Sequence, residues 1–120
     1  MRFFLMVSLV LLVACTTPKP QPDAFASAEQ AIEAAVRAGA EQHSPVELRF
    51  AREKLAEAQK GIEYKQYDKS FYLIEQSEIN SELAIEKSRG AEVRSDVTEL
   101  VRQNEILRED YERTFGEDFQ

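Results

Sequence analysis

The sequence predicts an all-α protein: a short N-terminal helix, an antiparallel helical hairpin, and a long C-terminal helix that extends into a coiled-coil tail. Three observations carry this expectation. Leu48, Ala51, Leu55, Ala58 and Ile62 recur at spacings of three and four, the period of one helix face. Ser70, Ile74, Ser77, Ser81, Ala84, Ser88 and Ala91 do the same. Only a tight turn at Lys65-Gln66-Tyr67 separates the two stripes, so the two helices are neighbours.

The chain opens on Arg2 and an apolar run from Phe3 to Val13, interrupted only by Ser8. Eleven helical residues span roughly 16 Å, about half of a bilayer core, which fits a secretory leader and not a membrane span. The run ends in Leu12-Val13-Ala14-Cys15, and Cys15 is the only cysteine of the chain. A lone cysteine excludes an intramolecular disulfide, so stability has to come from helix packing.

This four-residue pattern resembles the lipobox of bacterial lipoprotein precursors. The resemblance implies cleavage between Ala14 and Cys15. It also implies conversion of Cys15 to an N-palmitoyl, S-diacylglyceryl cysteine that anchors the chain in a membrane. Thr16 follows, where enteric lipoproteins retained in the inner membrane carry aspartate. The resemblance therefore implies the periplasmic face of the outer membrane, with the inner membrane as the alternative.

Organisation follows as residues 1–14 signal peptide, 15–22 lipidated cysteine and tether, 23–91 helical domain and 92–120 C-terminal tail. The tether Thr16-Thr17-Pro18-Lys19-Pro20-Gln21-Pro22 has proline at every second position of its latter part, which favours an extended chain. From Cys15 to Asp23 it would span about 25 Å. After it, Asp23 or Ser27 is expected to cap a first helix over Ala28 to Ala38, ended by Gly39. Gly39 to Ser44 reads as a polar loop holding the single histidine, His43, to which no site is assigned.

Ser44-Pro45-Val46-Glu47 reads as a capping box with proline at the first helical position, opening a second helix that runs to about Tyr64 or Lys65. Asp68 is the expected cap of the third helix. The small residues of its stripe let two backbones approach closely, and Phe71, Leu73, Ile79, Leu83 and Ile85 widen its apolar surface. The order Leu55, Ala58, Tyr67, Ser70, Ile74, Ser77 resembles one tetratricopeptide unit. No second copy follows at a period of about 34 residues, so a repeat array is not expected.

A further resemblance rests on Ala31-Ile32-Glu33-Ala34-Ala35, on Pro45-Val46-Glu47-Leu48-Arg49-Phe50-Ala51-Arg52-Glu53-Lys54-Leu55, and on Tyr67-Asp68-Lys69-Ser70. Over Ala28 to about Leu100 the chain is similar to the 4398 domain-of-unknown-function family, small helical domains of envelope lipoproteins. Members commonly show glycine, an acidic residue and tyrosine where this chain has Lys65-Gln66-Tyr67. The family implies no activity and no catalytic residues.

The third helix, continued to about Thr114, would be roughly 70 Å long, and the second helix covers only about 30 Å of it. The overhang carries Val93, Val97, Leu100, Asn104, Leu107 and Tyr111 at spacings of four and three. As a heptad, Val97, Asn104 and Tyr111 fall at a, and Val93, Leu100 and Leu107 at d. Valine at a, leucine at d and one asparagine at a favour a parallel two-stranded coil. The flanks support it less: Asp96 faces Val101, and only Gln103 with Arg108 makes a polar match. Either this surface associates with a second copy or an envelope protein, or Gly90 lets the tail fold back on its own hairpin.

Composition excludes several classes. After Cys15 becomes the first residue, 14 basic residues face 22 acidic ones, a net charge of −8, so no electrostatic footprint for nucleic acid exists. No phosphate loop, cysteine-histidine set or metal-ligand motif is present, and neither enzyme activity nor a cofactor is expected. Glu75, Glu78, Glu82 and Glu86 read as a solvated face, and Tyr64, Tyr67, Phe71 and Tyr72 as turn aromatics explained by packing. With Gln120 last, no covalent link to peptidoglycan through a C-terminal lysine is expected. The expected role is a non-enzymatic, lipid-anchored adaptor or structural lipoprotein of the envelope. The alternative is a periplasmic binding module for a glycan fragment or an ion.

Overall fold

The structure is a computed structural model that describes residues 18–116. It contains four helices: α1 (Pro22–Arg37), the single turn α2 (Ala40–His43), α3 (Pro45–Glu63) and α4 (Tyr67–Phe115). No strand occurs among the described residues. The all-α expectation holds, with its short first helix, its hairpin and its long last helix.

α3 and α4 form the hairpin, and its contact face is the small-residue stripe. Ser70, Ile74, Ser77, Ser81, Ala84 and Ser88 are all buried, as are Leu48, Ala51, Leu55, Ala58 and Gly61 opposite them. A serine ladder joins the helices. Ser70 Oγ donates to Ala58 O at 3.0 Å and Ser77 Oγ to Ala51 O at 2.8 Å. From the start of α3, Ser44 Oγ donates back to Ala84 O at 2.7 Å. The rungs are one heptad apart on each helix, 58, 51 and 44 against 70, 77 and 84, so one register is repeated three times. Each such bond stabilises by about 1 kcal/mol net. Leaving a buried hydroxyl unpaired would cost more. Among the described residues no buried side-chain polar atom lacks a partner.

α1 lies across the hairpin and closes two apolar clusters. Ala28 joins Leu55, Ala58, Leu73 and Ile74, with Ala24, Phe25 and Ile32 packed beside them. Ala35 joins Ala40, Leu48 and Ala84. α1 thus runs antiparallel to α3 and parallel to α4. Its N-terminal end sits at the hairpin turn, in a groove that Pro20, Pro22 and Phe25 share with Gln59 and Ile62.

Three local expectations are corrected. α1 starts at Pro22, earlier than Ala28, with proline at its first position and Gln21 extended before it. Pro20 is buried, so the latter part of the tether rests on the helical body. The capping box is not formed. Ser44 is the N-cap of α3 but makes no side-chain cap bond, because its buried hydroxyl is held by Ala84 O and by Ser88 Oγ at 2.7 Å. Glu47 instead pairs with Lys87 across the hairpin, which holds its carboxyl below the usual value. Asp68 is not the cap of α4 either. The helix begins at Tyr67 after Gln66, and Asp68 lies in its first turn, where a carboxylate complements the helix dipole.

The turn between α3 and α4 closes on itself. Gln66 N–H donates to Gly61 O at 2.8 Å and Lys65 N–H to Ile62 O at 3.0 Å. This pair of bonds is the Schellman arrangement, which needs a left-handed residue after the helix. Lys65 occupies that position with φ 57°, a conformation that glycine adopts at lower cost.

Candidate interaction surface

Beyond Ala91 nothing covers α4. From residue 92 to residue 116 every position is exposed, yet the helix continues unbroken through Gly90 to Phe115. We call this part the arm. It does not fold back on the hairpin, and Gly90 introduces no break. A Cβ placed there would meet only the mobile end of Arg94, at 3.3 Å.

The heptad positions read from the sequence all lie on the arm, uncovered. Val93, Val97, Leu100, Leu107 and Tyr111 are each between 52% and 65% exposed. Asn104 is exposed among them. In a monomer these side chains lose nothing of their unfavourable contact with water, since a lone helix offers them no partner. Further apolar residues flank them: Val101, Ile106 and Phe115 are also exposed. Tyr111 and Phe115, one turn apart, hold their rings 5.1 Å between centroids. Ile106 and Phe115 fall on neither an a nor a d position of the row.

The polar face of the arm is tied along the helix. Arg102 bonds Glu99 through Nε at 2.9 Å and Nη2 at 2.6 Å, and Gln103 donates to the same carboxylate at 2.8 Å. These bonds lower the Glu99 pKa, Arg102 first and Gln103 second, while Glu99 raises that of Arg102. Arg113 meets Asp110 at 3.0 Å. Such pairs, three residues apart and solvated, give the helix a few tenths of a kcal/mol each. They keep an unpacked helix formed without supplying it with a core.

The aromatics at the hairpin turn are placed differently from the packing expectation. Tyr64 and Tyr72 point to solvent, and Phe71 stands at the margin of exposure. Only Tyr67 is half-buried. Of the row of glutamates, Glu75, Glu82 and Glu86 are exposed and Glu86 is paired with Arg89 at 2.9 Å. His43 is exposed at the end of α2, lining a shallow surface hollow with Arg37, Arg89 and Glu92. Among the described residues no helix is long and apolar enough to cross a membrane. Cys15 and the segment before it lie outside the described residues.

No curated protein and no solved structure matches the chain. Residues 23–100 match a known family, a span that takes in α1, α2, α3 and α4 as far as Leu100. The hairpin, its crossing helix and the first half of the arm's apolar row are therefore a family unit, and the chain belongs to the family described as Domain of unknown function (DUF4398).

Proposed function

We propose that the protein is a non-enzymatic, lipid-anchored adaptor of the bacterial cell envelope, acting through protein–protein contacts made by the arm of α4. The single observation that carries this is the uncovered apolar row from Val93 to Tyr111 on a rigid, continuous helix. An exposed row of this kind marks an interaction surface, because leaving it in water is costly. The rest of the molecule holds the arm. Serine rungs and alanine contacts fix the hairpin, and α1 starts at the turn end and packs along it.

The lipobox-like stretch ending in Cys15 supports anchoring at the N-terminus. Thr16 supports the periplasmic face of the outer membrane. The start of α1 sits at the hairpin turn, so the described chain begins at the end of the molecule opposite the arm, the end that an N-terminal anchor would hold. The arm is then presented away from the lipid surface. The partner is a second copy or an envelope protein.

Two experiments test this reading. Cys15→Ser should leave an uncut precursor and abolish metabolic labelling with palmitate; unchanged labelling ends the lipid-anchor reading. Leu100→Asp with Leu107→Asp should leave the protein in the membrane fraction but abolish the cross-linked complex recovered from membranes with the parent. An undiminished complex would remove the arm as the contact surface.

A further inference from the structure

The arm's heptad does not stop where the hairpin begins. Extended backwards at intervals of seven, the d positions of Val93, Leu100 and Leu107 reach Glu86, Ile79 and Tyr72. The a positions of Val97, Asn104 and Tyr111 reach Gly90, Leu83 and Gln76. Tyr72, Ile79 and Leu83 are 59%, 48% and 46% exposed, although they lie in the half of α4 that packs against α1 and α3. They are exposed because the buried stripe, Ser70, Ile74, Ser77, Ser81, Ala84 and Ser88, occupies the other side of the helix. α4 therefore has two long faces: one closes the hairpin, and one carries a heptad row from Tyr72 to Tyr111 that is exposed except at the half-buried Gln76 and Gly90.

We infer that this second face is the seam of a parallel, in-register dimer of the chain, running from Tyr72 to Tyr111 and not confined to the arm. The inference rests on the anchored-adaptor reading and names its partner as a second copy. Three features select that occupant. From Tyr72 to Tyr111 the seam is about 58 Å long, close to six heptads, where the arm alone offers about three, marginal for a stable coil. The a-position interruptions Gln76, Gly90 and Asn104 face their own counterparts only when two copies align without shift. Glu86 at d would then meet Glu86, a like-charge contact opposed to the pairing and offset by Arg89 of its own helix at 2.9 Å. Asn104 against Asn104 at a is the pairing that fixes a two-stranded parallel register. The direction is set by the anchors. Both chains enter at the hairpin turn from one membrane, so parallel helices bring the two turn ends together and an antiparallel pair would place them at opposite ends.

The charges beside the seam fit this alignment in one place and are neutral in most others. Glu82 of one copy would face Lys87 of the other, five residues on, which already pairs with Glu47 in its own chain, and Gln103 would face Arg108. Arg89 would face Arg94, and its charge is already met by Glu86 within its own helix at 2.9 Å. Because the 3.6-residue helix drifts against a strict seven-residue row, the two α4 helices would wind into a left-handed supercoil.

The test is disulfide cross-linking of the full-length chain in the membranes of producing cells. Leu83→Cys and Val97→Cys, each alone, place a thiol at an a position of the hairpin half and of the arm. Ser95→Cys places one on the arm's opposite face. Under oxidation, Leu83→Cys and Val97→Cys should each give a species of twice the chain's mass, and Ser95→Cys and the parent should give none. Cross-linking at Leu83 also excludes an antiparallel pair, in which the two copies of that residue lie far apart. A dimer from Val97→Cys with none from Leu83→Cys overturns the full-length seam and leaves the arm as the contact. No dimer from either, with the membrane cross-link to another protein still lost in the Leu100→Asp, Leu107→Asp variant, overturns the second copy alone. No dimer and no effect of that variant overturns this inference and the adaptor reading together.

Discussion

Gly61 of α3 faces Ser70 of α4 so closely that a Cβ at position 61 would fall inside the radius of Ser70 Oγ, while remaining at an ordinary 3.6 Å from Ser70 Cβ. The hydroxyl cannot simply turn away, since it donates to Ala58 O and is fully buried. Glycine in a helix interior gives up roughly 1 kcal/mol against alanine, so its presence here reflects the close approach of two backbones.

Gly61→Ala is therefore expected to destabilise the protein by about 1–3 kcal/mol despite its better helix propensity. Ser70→Ala alone should cost about 1 kcal/mol for the lost rung. Combined, the two substitutions should recover most of the loss, because only methyl groups then meet. Denaturant unfolding of the two singles and the double gives the coupling directly. Simple additivity would show that position 61 tolerates a side chain for some other reason.

The second prediction concerns the turn a few residues on. Lys65 holds φ 57°, a conformation that costs an L-residue about 1–2 kcal/mol, and its backbone amide is needed for the bond to Ile62 O. Lys65→Gly keeps the amide and removes the strain, so it should raise stability by about 1 kcal/mol, or roughly 4–8 °C in melting temperature for a body of this size. Lys65→Ala should not. A melting point unmoved by glycine would mean that the turn relaxes out of the left-handed conformation at no cost.

The hairpin was legible because both of its contact faces are periodic and small. Alanine and serine at intervals of three and four leave little doubt about which sides of two helices meet, and Ile74, Ser77 and Ser81 lie where that pattern puts them. The caps were not legible, for a tertiary reason. Ser44 and Glu47 have the chemistry of a capping box, but burial at the open end of the hairpin gives the hydroxyl a better acceptor in Ala84 O and brings Lys87 to the carboxylate. A local motif competes with partners forty residues away, and the sequence shows only the local side.

The candidate surface was half legible. The arm's row from Val93 to Tyr111 stood out because no second stripe overlaps it. Tyr72, Ile79 and Leu83 share its register, but in the hairpin half they are interleaved with the buried stripe, so Ile79 and Leu83 read as a wider apolar surface and Tyr72 as a packed turn aromatic. Only the exposure of these three side chains separates the two rows. The start of α1 was hidden for a simpler reason: Pro22 continues a proline-rich tether in the sequence, yet its fixed φ equally suits the first position of a helix.

The last prediction concerns Asn104, the one polar residue at a core position of the arm's row. In water a lone asparagine on an exposed helix has no consequence for assembly. Within a coil it does, since each amide must find its counterpart or remain desolvated and unpaired. Asn104→Leu should therefore tighten association of the chain from Asp23 onward while loosening its stoichiometry, adding trimers or larger species to the dimer. The parent should sediment as a monomer–dimer equilibrium at micromolar concentrations. Leu100→Asp with Leu107→Asp should weaken that equilibrium and leave the hairpin's unfolding transition in place, because the serine ladder lies on the other side of α4. If the parent and Asn104→Leu both remain monomeric across that range, the arm does not pair with itself, and its apolar row has to be covered by a different protein.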